Sequence, residues 1–483
     1  MKQAATMPET VTETLAKFSS EVQFNDLPTE IVHEIKRLLL DTIGCGLGGL
    51  DLDKGRMAIA LARHDGGRPE ATIFGTPDKA PAAMAAFVNG ELMNGLDWCA
   101  LQPPAHVAPY VIPSVLALAE VNHTSGKELI AALTVAHELT CRVADSLGNL
   151  RDPAGGLPAR SFGMGCNQFG ATAGAARVLR LDAGRMRHAL GLAGFYAPVA
   201  SHNKYTYTVH PGLAKYGPSG WTAQAGVVTA RFAEMGYRGD DTVLDGEYGF
   251  WAMNGSPSCD WGKLTKALGS DWSFLAIGYK YWPCCGMFQS PLDAFVKIIN
   301  DHDLTATEIT KVLVMNESMN SLPRYLNMDV RDHVEAAASL PYNIAVAAHR
   351  VPRGPQWQLR TTIEDANIRE FMKRVEHAVY PRCEEMRHQD LVIDGRRNLK
   401  HRPARVEVHA RGRTFAHAVD YANWIPNDLP EHQADDEALA QKFRANAHDV
   451  LSKETADAAV DCIMHLDGLS DSAKLMGLLA RKH

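Results

Sequence analysis

Helical periodicity over the first 270 or so residues constrains this chain more than any other feature. After Pro28 the positions Ile31, Ile35, Leu38, Leu39, Thr42 and Ile43 recur at helical spacing, and a proline suits the opening turn of such a helix. Residues 80–96 are rich in Ala and Met, and Ser125-Gly126-Lys127-Glu128 is a capping box before a helix over 129–143. Residues 169–179 are built from Ala and Gly, which lets helices approach closely, and further helices are predicted over 185–193 and 217–235. The run Gly44-Cys45-Gly46-Leu47-Gly48-Gly49 closes a helix and does not follow a strand, so it reads as a close helix contact and not as a phosphate loop. Glu138 and Arg142 stand four apart and are expected to form a surface pair.

The pattern changes after about Asp271. Residues 311–315 alternate like a strand, while 292–300 and 334–348 look helical. Residues 405–409 and 414–419 flank a glycine turn at Arg411-Gly412-Arg413, which predicts a hairpin. From about Asp435 the chain is amphipathic helix again, with Leu439, Phe443, Val450 and Leu451 apolar. A tail that resembles the first part can pack back onto it, which makes the α+β stretch an insertion. The expected fold is mainly α, with residues 1–271 and 416–483 forming one multihelical domain and residues 272–415 a smaller α+β domain inserted in it.

Composition excludes several classes. Over 483 residues, 46% are hydrophobic and 22% charged, the proportions of an ordinary globular protein. A formal charge of −7 argues against a nucleic-acid surface. No stretch approaches the ~20 apolar residues of a membrane helix, and the richest window, 107–121, is broken by Pro109, Tyr110 and Pro113. The first residues lack a signal peptide's apolar centre, and nine scattered cysteines suit reduced thiols, so a cytoplasmic enzyme is expected.

Three clusters carry candidate chemistry. In residues 89–109 a helix ends near Asp97 and a proline-rich loop bears His106 before the next helix. A carboxylate and an imidazole bracketing one loop can form an oriented proton-transfer pair, although such a pair taken alone is more often structural. Residues 201–217 pack His202, Lys204, Tyr205, Tyr207, His210, Lys215 and Tyr216 into a loop marked by Gly and Pro. Residues 279–285 place Lys280 and the thiols Cys284 and Cys285 around Pro283. Adjacent cysteines lack metal-ligand spacing, and His137-Glu138 lacks the second histidine of a zinc helix, so no metal is assigned.

At these clusters the sequence resembles the MmgE/PrpD family, which includes 2-methylcitrate dehydratases, cis-aconitate decarboxylases and an iminodisuccinate epimerase. The opening helix at 35–45, the loop pairs Asn89-Gly90, Leu96-Asp97 and Ala105-His106, the entry His210-Pro211-Gly212, the turn Tyr279-Lys280 with Pro283-Cys284, and Ser339-Leu340-Pro341-Tyr342 occur in the family's order. The resemblance implies that the inserted domain is a lid over an active site, that the protein is a homodimer, and that it works without cofactor. It carries Asp97, His106, Lys280 and Tyr342 over as catalytic residues and a small carboxylic acid over as substrate, with Lys204, Tyr207 and His210 expected to bind it. The cation would hold a carboxylate and stabilise enolate charge while the imidazole moves the proton.

The chain departs from the family at several points. Asn94 replaces a histidine, Cys99 and Ala100 replace acids, Tyr207 and Ala337 replace lysines, and 160–164 lacks the histidine expected there. Fewer cations imply a substrate with fewer carboxylates than the usual tricarboxylate, unless Lys204 or Lys215 restores the charge. The expected function is a cofactor-independent lyase, a dehydratase or decarboxylase acting by proton transfer next to a carboxylate. An isomerase or epimerase using the same site, and a non-catalytic binding paralogue, are the alternatives.

Overall fold

The computed structural model describes residues 10–102, 106–148, 164–425 and 429–481. It is mainly α, with a two-stranded hairpin, β1 (Ala71–Thr72) and β2 (Lys79–Ala80), and one four-stranded sheet. The helix Thr29–Gly48 runs through the glycine stretch, with Gly49 as its cap. A Cβ at Gly49 would lie 2.4 Å from the Leu92 carbonyl, and one at Gly44 would lie 3.1 Å from the Phe443 Cα. Those distances are why glycine stands there, and they bear out the reading of a close helix contact.

The tail returns to the first helices. The helix Asp436–Ala447 packs against Thr29–Gly48, and Leu439, Phe443 and Ile463 share one apolar core with Leu38, Leu116, Leu139 and Phe169. A second core holds Phe288, Phe295, Val312, Val314, Tyr342, Val406 and Val408. Its sheet has the order β4–β3–β5–β6, with β3 (Ile309–Asn316), β4 (Val375–Val379), β5 (Ala404–Ala410) and β6 (Arg413–Val419). β3 pairs parallel to β4 and antiparallel to β5, and β5–β6 is the expected hairpin, turning at Arg411 and Gly412, both with positive φ. A bulge between Ile309 and Lys311 inserts one residue, so Ile309 and Val312 are both buried despite their odd spacing. We propose the expected division of the chain into an outer helical domain and an inserted lid.

Two local expectations need correction. Residues 334–348 are not one helix: His333–Ala338 and Leu340–Ala348 meet at Ser339. Pro341 has no N–H for the Ala337 carbonyl, which instead accepts from the Cys285 N–H at 2.9 Å. Glu138 and Arg142 are not a surface pair but are buried, 2.5 Å apart. Arg142 also donates to the carbonyls of Lys266 and Asp271, and Glu138 accepts from the N–H groups of Ser273 and Phe274, so the pair fastens that segment to the helix Gly126–Ser146.

Candidate active site

The helix Ala82–Met93 ends at its cap Asn94, and three residues later Asp97 turns the chain at φ +52°. A short polar side chain tolerates this left-handed conformation because it can bond locally. Opposite it, Leu101 and Gly278 exchange backbone hydrogen bonds of 2.7 and 3.0 Å, which sets the Lys280 turn beside the loop. That turn lies where the two cores meet, since Tyr279 belongs to the first and Trp282 to the second. Behind it, Lys442 from the tail pairs with Asp41 at 2.6 Å, both wholly buried, and donates to the carbonyls of Trp98 and Lys280 at 2.7 and 3.2 Å. Asp41 in turn accepts from the Ala100 N–H at 3.0 Å.

Four groups converge on one oxygen of Asp97. Lys280 Nζ donates to Oδ1 at 3.1 Å and to the Asp97 carbonyl at 2.6 Å. Tyr216 donates its hydroxyl to the same oxygen at 3.1 Å, and Lys215 Nζ lies 3.5 Å from it. Lys215 also donates to the Asn94 carbonyl at 2.7 Å. His106 Nε2 is 3.9 Å from Oδ1, beyond hydrogen-bond length, and its ring stacks on Tyr216 with centroids 4.5 Å apart. The His106 carbonyl accepts from Asn167 at 3.1 Å. All of these side chains are buried.

Burial alone would raise the Asp97 carboxyl, but Lys215, Lys280 and His106 hold it far below the usual carboxylate range, so it stays ionised. Burial and the charge of Lys280 push His106 well below its ordinary value, against the opposing pull of Asp97, so the imidazole is neutral near pH 7. Burial brings Lys215 down to about 8 despite Asp97 beside it. The site therefore holds a fixed anion, a neutral base, and an ammonium that titrates within reach of neutral pH. Among the described residues no group of three or more His, Cys, Asp or Glu side chains is placed to hold a metal ion.

Of the expected residues, Asp97, His106 and Lys280 come together. Tyr342 does not join them; its buried hydroxyl donates to the Trp357 carbonyl at 2.6 Å within the second core. Lys204 is exposed and Tyr207 half exposed, neither among the groups around Asp97. His210 pairs with Glu335 at 2.8 Å. Lys215, which the sequence offers only as a substitute cation, and Tyr216, to which it assigns no role, are the groups that meet Asp97. The signal was their place at the end of the loop, just before Gly217 and the helix Ser219–Glu234. At the departures, Cys99 donates to the Met93 carbonyl at 3.0 Å, whereas residues 160–163, like Ala105 of the matched pair Ala105-His106, lie outside the described residues.

A mainly helical chain whose two cores meet at a lysine–aspartate–histidine cluster matches two domains of one family. The MmgE/PrpD N-terminal domain matches residues 13–258 and the C-terminal domain residues 282–467. The chain belongs to the MmgE/PrpD family. It is similar to the cis-aconitate decarboxylase of Homo sapiens, 28% identical over 499 aligned residues that cover 98% of this chain and 95% of that one. The cis-aconitate decarboxylase of Mus musculus is 26% identical, covering 98% and 94%. That of Aspergillus terreus is 26% identical over 60% of each chain. No helix among the described residues is long and apolar enough to cross a membrane.

Proposed function

We propose that this protein is a lyase acting on a small carboxylic acid, with His106 as the proton-transfer residue and Lys280 and Lys215 as the carboxylate-binding cations. The observation that carries this reading is the convergence of Lys280, Lys215, Tyr216 and His106 on Asp97. In the free site burial and, after it, the two ammonium groups keep His106 neutral and able to accept a proton. A bound carboxylate offsets their charge, so the basicity of His106 rises only when substrate is present. Asp97 fixes the ammonium groups and, through Tyr216, the plane against which the imidazole stacks. In decarboxylation His106 first takes up a proton from solvent, which the bound carboxylate favours; the bond to the departing carboxylate then breaks, its electron pair stays on carbon as enolate-like charge facing Lys280, and His106 delivers that proton to carbon and ends neutral. In dehydration His106 takes the proton next to the carboxylate, and hydroxide leaves from the neighbouring carbon with a proton from Lys215. The decarboxylase names of the relatives favour the first course.

Incubating the purified protein with mono-, di- and tricarboxylates in deuterated water, followed by proton NMR, tests this reading. Loss of carbon dioxide or water from one acid is expected. Deuterium exchange with no group lost would favour the isomerase reading. Neither exchange nor turnover, with ligand-dependent stabilisation alone, would leave a binding paralogue. The proposed assembly is a homodimer, and sedimentation at twice the chain mass is the expected result.

A further inference from the structure

Arg324 lies between β3 and the helix His333–Ala338, 4% exposed, yet none of the described residues pairs with its charge. Its Nη1 donates to the Tyr205 carbonyl at 3.0 Å, and its guanidinium lies 3.4 Å from the centre of the Tyr205 ring. Its Nε and Nη2 are buried without a hydrogen-bond partner. A buried guanidinium left in this condition is costly unless something brings it an anion. In the same segment Asn320 is fully buried with both amide atoms unpartnered.

The position of Arg324 says which anion. Tyr205 meets the Tyr216 ring edge-on, with centroids 5.4 Å apart, and Tyr216 holds Asp97. One tyrosine therefore separates Arg324 from the cluster proposed as the active site. Cys285 shares these surroundings: burial pushes its thiol up to about 11, Asp97 adds to the rise, and Lys280 and Arg324 oppose it. Among the described residues Lys280 and Lys215 both pair with Asp97, and Arg324 pairs with no carboxylate.

We propose that Arg324 is the anchor for a second carboxylate, so that the site takes a short dicarboxylate with one end on Lys280 and the other on the free Nε and Nη2 edge of Arg324. This rests on the reading of the Asp97 cluster given above. The free edge offers two N–H groups in one plane, the geometry that accepts a carboxylate in two parallel bonds. Only the tertiary structure supplies this cation, which offsets a lysine position that the sequence gives to Tyr207.

The test compares maleate with isocrotonate, the same cis four-carbon skeleton with one carboxylate replaced by methyl, using calorimetric binding to the full-length protein. The wild type is expected to bind maleate at least about tenfold more tightly. Arg324→Gln should remove that preference and leave isocrotonate binding unchanged, whereas a role confined to supporting Tyr205 would weaken both equally. Arg324→Lys keeps the charge and loses the planar fork, so a preference between those of wild type and Arg324→Gln is expected, and it serves if the glutamine variant does not fold. A wild type without preference, or either variant with the wild-type preference, overturns the proposal. Lys280→Met separates the two readings. If it abolishes binding of both acids while Arg324→Gln changes nothing, the active-site reading stands and the Arg324 anchor falls; if it changes neither acid, the active-site reading itself falls.

Discussion

Lys215 sits under opposing influences, burial disfavouring its charge and Asp97 favouring it, and burial prevails to bring it to about 8. Below pH 8 Lys215 carries its charge beside Asp97, and above it Lys215 loses its proton. KM for a carboxylate substrate should therefore rise above pH 8, toward tenfold per pH unit, and a pH profile of kcat/KM checks this. Lys215→Met should flatten that rise. The stability effect has its own sign: the unfolded chain holds this proton up to the ordinary lysine value, so folding sheds it in the window between. Through that window the lysine adds stability as pH rises. At His106, replacement by Ala should lower turnover by ~10²–10⁴-fold while thermal unfolding stays close to wild type. Near-normal turnover in that variant would remove the imidazole from the mechanism.

Among the elements, the tail helix Asp436–Ala447 positions the site most directly, because its Lys442 fastens the carbonyls of Trp98 and Lys280 to Asp41. Lys442→Met leaves a buried carboxylate unpaired and should destabilise the protein by about 3–5 kcal/mol in urea unfolding. A loss below about 1 kcal/mol would show that the pair is not the fastening it resembles. Gly49→Ala places a methyl group against the Leu92 carbonyl, which cannot rotate away as a side chain can, and should cost about 1–3 kcal/mol in the same measurement. The glycine run and the hairpin at Arg411-Gly412 were legible beforehand, since both are local. The break at Ser339 was legible only in part: Pro341 announces it, but the Cys285 N–H that takes up the Ala337 carbonyl comes from far along the chain.

For the whole molecule, the tail returns to the first helices and completes their core. Deleting residues 435–481 would strip the cover from Gly44 and remove Leu439, Phe443 and Ile463 from the larger core. The shortened chain should fail to fold as a soluble protein, losing its helical circular dichroism or aggregating. A soluble fragment with native helicity would refute the architecture proposed for the two chain ends. Among the described residues the Lys280 turn lies between the two cores, so packing on either side alters the distances around Asp97.

By itself the sequence determined the helical majority, the small sheet hairpin, the family, and the loop carrying Asp97 and His106, because these rest on periodicity, turn chemistry and spacing along one stretch of chain. Lys280 was legible for a different reason, through its resemblance to a family motif. Only the tertiary structure decided which cation faces Asp97. The stretch read as one loop opens with a short helix, His202–Tyr207, which leaves Lys204 and Tyr207 outside, and the turn after it passes the end of the helix Ala82–Met93 and brings Lys215 and Tyr216 inward. It likewise buried Glu138 and Arg142, whose spacing suits a surface as well as an interior, and placed Arg324 against Tyr205 from a segment more than a hundred residues away. Burial and long-range charge are properties of what packs around a residue, and no periodicity along the chain records them.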